Sequence, residues 1–103
     1  MAWTVVWAQA AVDDLDAAVE FVARASESFA TTLARDAIEA SRSLSQFAER
    51  GRVVPEIGHP HLRELFVRVH RVIYRVQKED VTIVAFFHGR RDFDTAWRER
   101  PGR

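Results

Sequence analysis

Four histidines and a series of arginines are the side chains of this 103-residue chain with most chemistry to offer. His59 and His61 stand two apart among Pro55, Gly58 and Pro60, and two imidazoles so spaced on a loop can hold a metal ion. No third ligand of evident spacing accompanies them, so they read as loop residues and no metal site is expected. His70 and His88 each adjoin an apolar run. Imidazole titrates near neutral pH, so these two could work as an acid–base pair; their plainer roles are a turn residue and a strand-end residue. Arg63, Arg68, Arg71 and Arg75 interrupt the apolar runs, and Arg90–Arg91 closes the last one. Guanidinium groups presented by a sheet suit an anionic or carboxylate-bearing partner. The alternative is a half-exposed sheet whose arginines lie along it and pair with Glu64 and Glu79.

The elements that must position these residues are legible in outline. Val72, Ile73, Tyr74 and Val76 are strand formers, and Val81–Phe87 holds the strongest strand signal in the chain. Ala2–Trp7 reads as an opening strand. A first helix is expected over Val12–Ala25, with Asp13, Asp14 and Asp16 in its first turn and Val12, Leu15, Val19 and Val22 as its apolar stripe. Ser26 fits the cap of a second helix over Glu27–Arg50, with a stripe of Phe29, Leu33, Ala37, Ala40, Leu44 and Phe47. Gly51 would end it in a left-handed conformation. After a loop, apolar signal runs unbroken from Leu62 to Val76, too long for one strand. Gln77–Asp80 fits a turn, Val81–His88 a last strand and Asp92–Glu99 a short C-terminal helix.

Length and composition bound the rest. Residues 1–103 suit a single domain, and 48% hydrophobic with 29% charged residues is the mixture of an ordinary globule. The absence of cysteine excludes a disulfide framework and fits a reducing cytoplasm. The uncharged start ends at Asp13, short of the ~20 residues a membrane span needs, so no membrane partner is expected. Net charge is zero, yet residues 1–49 carry three arginines against eight acids and residues 50–103 eleven arginines and Lys78 against seven. A domain polarised in this way can steer an anionic ligand to one side.

GRxVPE at Gly51–Glu56, RELFV at Arg63–Val67, RVIYRV at Arg71–Val76 and VTIVAFFHGRRDF at Val81–Phe93 stand in order behind a strand ending Trp7–Ala8. In that order and spacing the chain resembles the RelE/ParE superfamily, the toxins of bacterial type II toxin–antitoxin systems. The resemblance implies a turn at Arg68–Val69, with Phe66 opposite Arg71, Glu64 opposite Ile73, and Arg71 and Arg75 on one face. A strand, two helices and three antiparallel strands then make a two-layer α+β fold, a helical hairpin packed on an antiparallel sheet. The second sheet face would be open, with Phe66, Ile73 and Phe86 exposed on it.

RelE-like members cut messenger RNA on the ribosome, which needs a base, an acid and cations at the phosphate. Arg71 and Arg91 match arginines of that branch, and with His88 they would be the catalytic candidates here. The branch's lysines are missing, the only lysine being Lys78, and Trp97 stands at its tyrosine position. The chain is more similar to the ParE-like branch, which does no chemistry and binds DNA gyrase, although His70 replaces a tyrosine of that pattern. The resemblance therefore implies a cytoplasmic, cofactor-free toxin of growth inhibition and plasmid stabilisation, held by an antitoxin from an adjacent gene. Gyrase is its implied target, with ribosome-bound mRNA cleavage, or antitoxin binding alone, as alternatives. Candidate partner-binding residues are Phe66, Arg71, Ile73, Arg75, Arg90, Arg91 and Trp97.

Overall fold

The computed structural model describes residues 2–100. The long apolar stretch folds back on itself as β3 (Leu62–Val67) and β4 (His70–Gln77), with the turn at Arg68–Val69. The register is the expected one: Phe66 faces Arg71 and Glu64 faces Ile73. No glycine serves that turn, and Arg68 itself adopts φ 55°. Lys78 does the same at φ 52° in the turn between β4 and β5 (Asp80–His88). Each position carries the strain of a side chain in the left-handed region, a cost of roughly 1–2 kcal/mol that tertiary pairing offsets.

The sheet has five strands in the order β1-β5-β4-β3-β2. It is mixed rather than wholly antiparallel, because β1 (Thr4–Trp7) pairs parallel with β5. A two-residue strand, β2 (Arg52–Val53), adds to the outer edge of β3. Between Ile73 and Tyr74 the β4–β5 register shifts: Ile73 pairs with Ala85 but Tyr74 with Ile83, leaving Val84 as an extra residue in β5.

The helices α1 (Gln9–Ala23) and α2 (Glu27–Ser43) pack on one face. Helix α1 starts three residues earlier than expected, so Asp13, Asp14 and Asp16 lie beyond its first turn and no side chain caps it. In α2 the Ser26 hydroxyl accepts the Phe29 N–H at 3.2 Å, the expected cap. Helix α2 ends at Ser43, well before Arg50. Its buried face runs through Ala30, Leu33, Ala37 and Ser41, one residue round from Phe29, which stays 66% exposed. Phe47, beyond the helix end, is likewise exposed. Small alanines at the contact let α2 approach the neighbouring layers where a phenylalanine would hold them apart. The core on this face joins Leu15, Leu33 and Leu44 to Val72, Tyr74, Ile83 and Phe86.

The opposite face is covered, contrary to expectation. A short helix, α3 (Phe93–Arg98), and the segment between β2 and β3 bury Val54, Ile73, Ala85, Phe87, Phe93 and Ala96 in a second core. Ile73 and Phe86 are thus buried, and they fail as exposed residues because strand alternation and the Val84 bulge turn them into the two cores. Phe66 alone of the three is exposed, at 53%. Asp92 caps α3 through its carboxylate and the Thr95 N–H at 3.2 Å, and these bonds hold the Asp92 pKa below the usual carboxylate range.

Gly51 does not end a helix and is not left-handed; among the described glycines only Gly58 has positive φ. Its need is space, because a Cβ there would stand 2.5 Å from the Glu64 carbonyl oxygen and 2.6 Å from the Tyr74 hydroxyl. The Gly51 N–H also donates to that hydroxyl at 2.9 Å. Gly51→Ala should therefore destabilise the fold by about 2–3 kcal/mol through overpacking. Tyr74→Phe, which removes only the hydrogen bond, should cost about 1 kcal/mol. Urea unfolding of the two variants measures both, and an alanine variant as stable as the parent would refute the close approach.

Candidate functional site

Successive residues of a strand point to opposite faces, so His70 and Arg71 part company at the start of β4. Arg71 enters the face beneath α3, where it is only 5% exposed. Its guanidinium forks onto Glu56, with Nη1 and Nη2 each donating at 2.8 Å, and its Nε donates to Glu64 at 2.7 Å. The Phe93 ring lies 4.8 Å from its central carbon and the Phe87 ring 5.9 Å. Glu64, itself fully buried, also accepts from the Arg52 Nε at 2.6 Å. The bond from Arg71 holds the Glu56 carboxyl below its ordinary range, and Glu56 together with Glu64 holds the Arg71 guanidinium charged despite burial. The pairing with Glu64 follows the plainer reading of the arginines, whereas Glu79 forms no ion pair among the described residues and Glu56 takes its place.

The other candidates divide between the two faces and the rim. Arg75 shares the Arg71 face, half-buried, with no carboxylate in ion-pair range among the described residues. Phe66 lies on the same face with the Arg52 guanidinium 5.7 Å from its ring. Trp97 stacks on Phe93 at 5.7 Å and is partly buried in the second core. Arg90 is exposed in the turn after β5, and Arg91 pairs with Glu99 at 3.2 Å. Arg71 is therefore not brought together with His88 and Arg91.

His70 and His88 do meet. They are direct partners across β4 and β5, with ring centroids 5.5 Å apart, and the His70 ring stacks on Phe86 at 4.9 Å. Both face a cleft of about 660 Å³ between α1 and the ends of these strands, which Arg91 and Asp14 also line. His88 is already engaged in this arrangement. Its Nδ1 accepts the Arg90 backbone N–H at 3.0 Å, which leaves Nε2 as the ring nitrogen open to a partner. His59 is engaged in the same way by the His61 N–H at 3.1 Å. Among the described residues no group of three or more His, Cys, Asp or Glu could hold a metal.

Asp14 is a residue whose role the sequence hid. Its carboxylate accepts the Phe86 N–H at 3.0 Å and pairs with Arg100, whose other nitrogen donates to the Val84 carbonyl at 2.5 Å. Two side chains thus satisfy the outer edge of β5 at its bulge, past the last residue paired with β1. Glu56 was visible only as the end of the GRxVPE string, and Phe21 on α1, 70% exposed at the cleft, only as part of a helix.

A short helical hairpin on a small mixed sheet, with a terminal helix closing the far face, is a fold this chain shares with solved structures. A chromosomal ParDE toxin–antitoxin system from P. aeruginosa matches with TM-score 0.69 and 24% identity, over 84% of this chain and 95% of that one. The toxin–antitoxin complex RelBE2 from Mycobacterium tuberculosis matches with TM-score 0.58 and 16% identity, over 85% and 92%. At these identities the likeness shows the fold. The family model for the ParE toxin of type II toxin–antitoxin systems, parDE, matches residues 5–93, and the chain belongs to that family. Among curated proteins no sequence matches it. No helix among the described residues is long and apolar enough to cross a membrane.

Two outcomes follow from this geometry. Arg71→Ala, which leaves the buried Glu64 with the exposed Arg52 as its remaining ion-pair partner, should cost about 3 kcal/mol, whereas Arg75→Ala should stay within about 1 kcal/mol; chemical denaturation of both variants compares them directly. The second outcome concerns pH. Burial first, and the neighbouring His88 second, hold the His70 pKa below its ordinary 6.5. The unfolded chain then binds the proton more readily than the folded one, so this contribution to stability is intact above about pH 6.5 and is lost as pH falls below it. Thermal melts at about pH 7.5 and about pH 5.5, roughly one unit either side of the ordinary histidine value, should show a smaller loss for His70→Phe than for the parent. Equal losses would assign the acid sensitivity to other groups.

Proposed function

We propose that this toxin acts by binding rather than by cutting, with DNA gyrase as its target, in the cytoplasm, and that an antitoxin encoded beside it neutralises it. The observation that carries the binding reading is the engagement of the would-be catalytic groups. Arg71 is locked between Glu56 and Glu64 under α3, and the His88 lone pair faces a backbone N–H. A nuclease needs a free cation and a free base at the same phosphate, and these residues supply neither together. Membership of the ParE family supports gyrase as the target. The P. aeruginosa and M. tuberculosis matches are a toxin–antitoxin system and a toxin–antitoxin complex, which supports an antitoxin partner here too.

Target contact is assigned to the exposed rim after β5, where Arg90 and Arg91 stand clear of both cores, with Trp97 and Phe66 as secondary candidates. Expression of the chain alone should arrest growth with induction of the DNA-damage response and without codon-specific mRNA cuts. Co-expression with the neighbouring small gene should restore growth. The double charge reversal Arg90→Glu/Arg91→Glu should relieve toxicity and leave the melting temperature close to the parent's, since exposed arginines contribute little to stability. Primer extension that shows codon-specific cuts abolished by Arg91→Ala would overturn the binding reading. A folded double mutant of undiminished toxicity would move the target surface elsewhere.

A further inference from the structure

We propose that the cleft facing His70 and His88 seats an apolar, carboxylate-bearing segment of the antitoxin, and that seating this segment takes up a proton on the histidine pair. The inference rests on the toxin–antitoxin reading and deepens it by naming the chemistry of the bound segment.

The walls of the cleft call for apolar side chains. Helix α1 offers Ala18, Val22 and the 70% exposed Phe21, and the facing wall offers Phe86 and the 56% exposed Val69. Two large exposed hydrophobic side chains on opposite walls of one cleft are a usual mark of a protein-binding surface.

The charges call for a carboxylate. His70 comes from β4, His88 from β5, Asp14 from α1 and Arg91 from the segment after β5. Arg68, at the adjacent turn, is taken by Asp36 of α2 at 3.1 Å. Asp14, the acid among the cleft residues, is already committed to the Phe86 N–H and to Arg100. Arg91 has only the exposed Glu99 as its counter-ion, and Arg90 beside it has none among the described residues. The cleft therefore presents two imidazoles and an arginine without a free anion of its own.

A proton added in the free toxin would place an imidazolium near Arg91 with nothing to balance it. His70 offers a site for one, because its Nδ1 is buried with no hydrogen-bond partner among the described residues, whereas His88 Nδ1 already accepts the Arg90 N–H. Burial and His88 already hold the His70 pKa down in the free protein. A carboxylate brought in by the partner reverses that balance and raises the imidazole pKa in the complex. Binding then draws in a proton, and affinity must rise as pH falls, because the complex holds more protons than its separated parts.

Calorimetry of the toxin with the separately purified product of the neighbouring antitoxin gene tests this, in two buffers of different ionisation enthalpy. The expected result is net proton uptake near neutral pH, with a Kd that tightens roughly three- to tenfold per unit fall in pH. His70→Phe, which keeps the stack on Phe86, should bind and lose the uptake. His88→Gln, at an exposed position, is the second variant and should diminish it. Phe21→Glu, on a solvent-facing turn of α1, should weaken binding at every pH. Binding without buffer-dependent heat, binding with proton release, or uptake undiminished in His70→Phe would overturn the proposal and leave the toxin–antitoxin reading in place. Unchanged affinity in Phe21→Glu would overturn the location. Failure of the parent protein to bind at any pH would instead overturn the toxin–antitoxin reading itself.

Discussion

A single buried cation, Arg71, ties together the parts of this molecule that have little else to hold them. The helix α3 has six residues, far fewer than a helix needs to persist alone in water. The segment between β2 and β3 has no regular structure of its own. Arg71 takes Glu56 from that segment, Glu64 from the neighbouring strand and the ring of Phe93 from α3 on its three sides. Desolvating these charges is costly, and a forked guanidinium with two carboxylates is among the few arrangements that recover the cost. A lysine could not satisfy it, because the fork needs planar, divergent donors. The gain is chiefly geometric: the lid over the second core has one docked position.

With that lid in place, the sheet is no longer a platform with one free face. Both faces are buried, and the residues left for partners lie where the sheet runs out. Beyond Trp7, β1 no longer covers β5, and the bulge at Val84 shifts the pleat so that Phe86 turns to the helical side and Phe87 to the other. Asp14 and Arg100 blunt the edge left there, as short charged caps often do for a strand that would otherwise invite another. The cleft beside them is the remainder: too wide for α1 to fill with Ala17 and Ala18, and floored by aromatic rings.

The sequence carried the fold well where periodicity and turn spacing speak for themselves. Ser26 as a cap and a short C-terminal helix near Asp92–Glu99 are readable in this way, and the register through Phe66 and Arg71 follows from the family resemblance. It carried less where a residue's partner is distant. The expected α2 stripe holds at Leu33, Ala37 and Leu44, but its two phenylalanines, Phe29 and Phe47, lie in solvent. Gly51 was assigned a helix-ending conformation, when the real demand was clearance beneath Tyr74, 23 residues away. Ile73 and Phe86 were placed on an open face because nothing in α3's short sequence announces that it folds back over the sheet. Asp14, drawn as a helix-dipole residue, serves a strand edge 72 residues downstream. Within one element the pattern is local and legible; across elements it depends on a bulge and a lid that composition does not mark.

The charge asymmetry along the chain acquires a different meaning in three dimensions. The acidic half is largely the helical hairpin and the basic half the sheet with its terminal helix. Two ion pairs, Arg68 with Asp36 and Arg100 with Asp14, join one half to the other across the layer boundary. Others are consumed within the sheet side: Arg52 and Arg71 by Glu64, and Arg63 by the carbonyl of Gly51 at 2.9 Å. Much of the excess of arginine therefore stitches the fold, and the field a ligand meets is smaller than the sequence tally implies. On the rim beside the two histidines, Arg90 is exposed with no ion pair among the described residues and Arg91 has the exposed Glu99 as its counter-ion. Electrostatic selection of a partner depends on charges that the fold leaves unpaired. In this protein Arg91 lines an apolar cleft with Arg90 next to it in sequence, so an occupant must satisfy both demands at once.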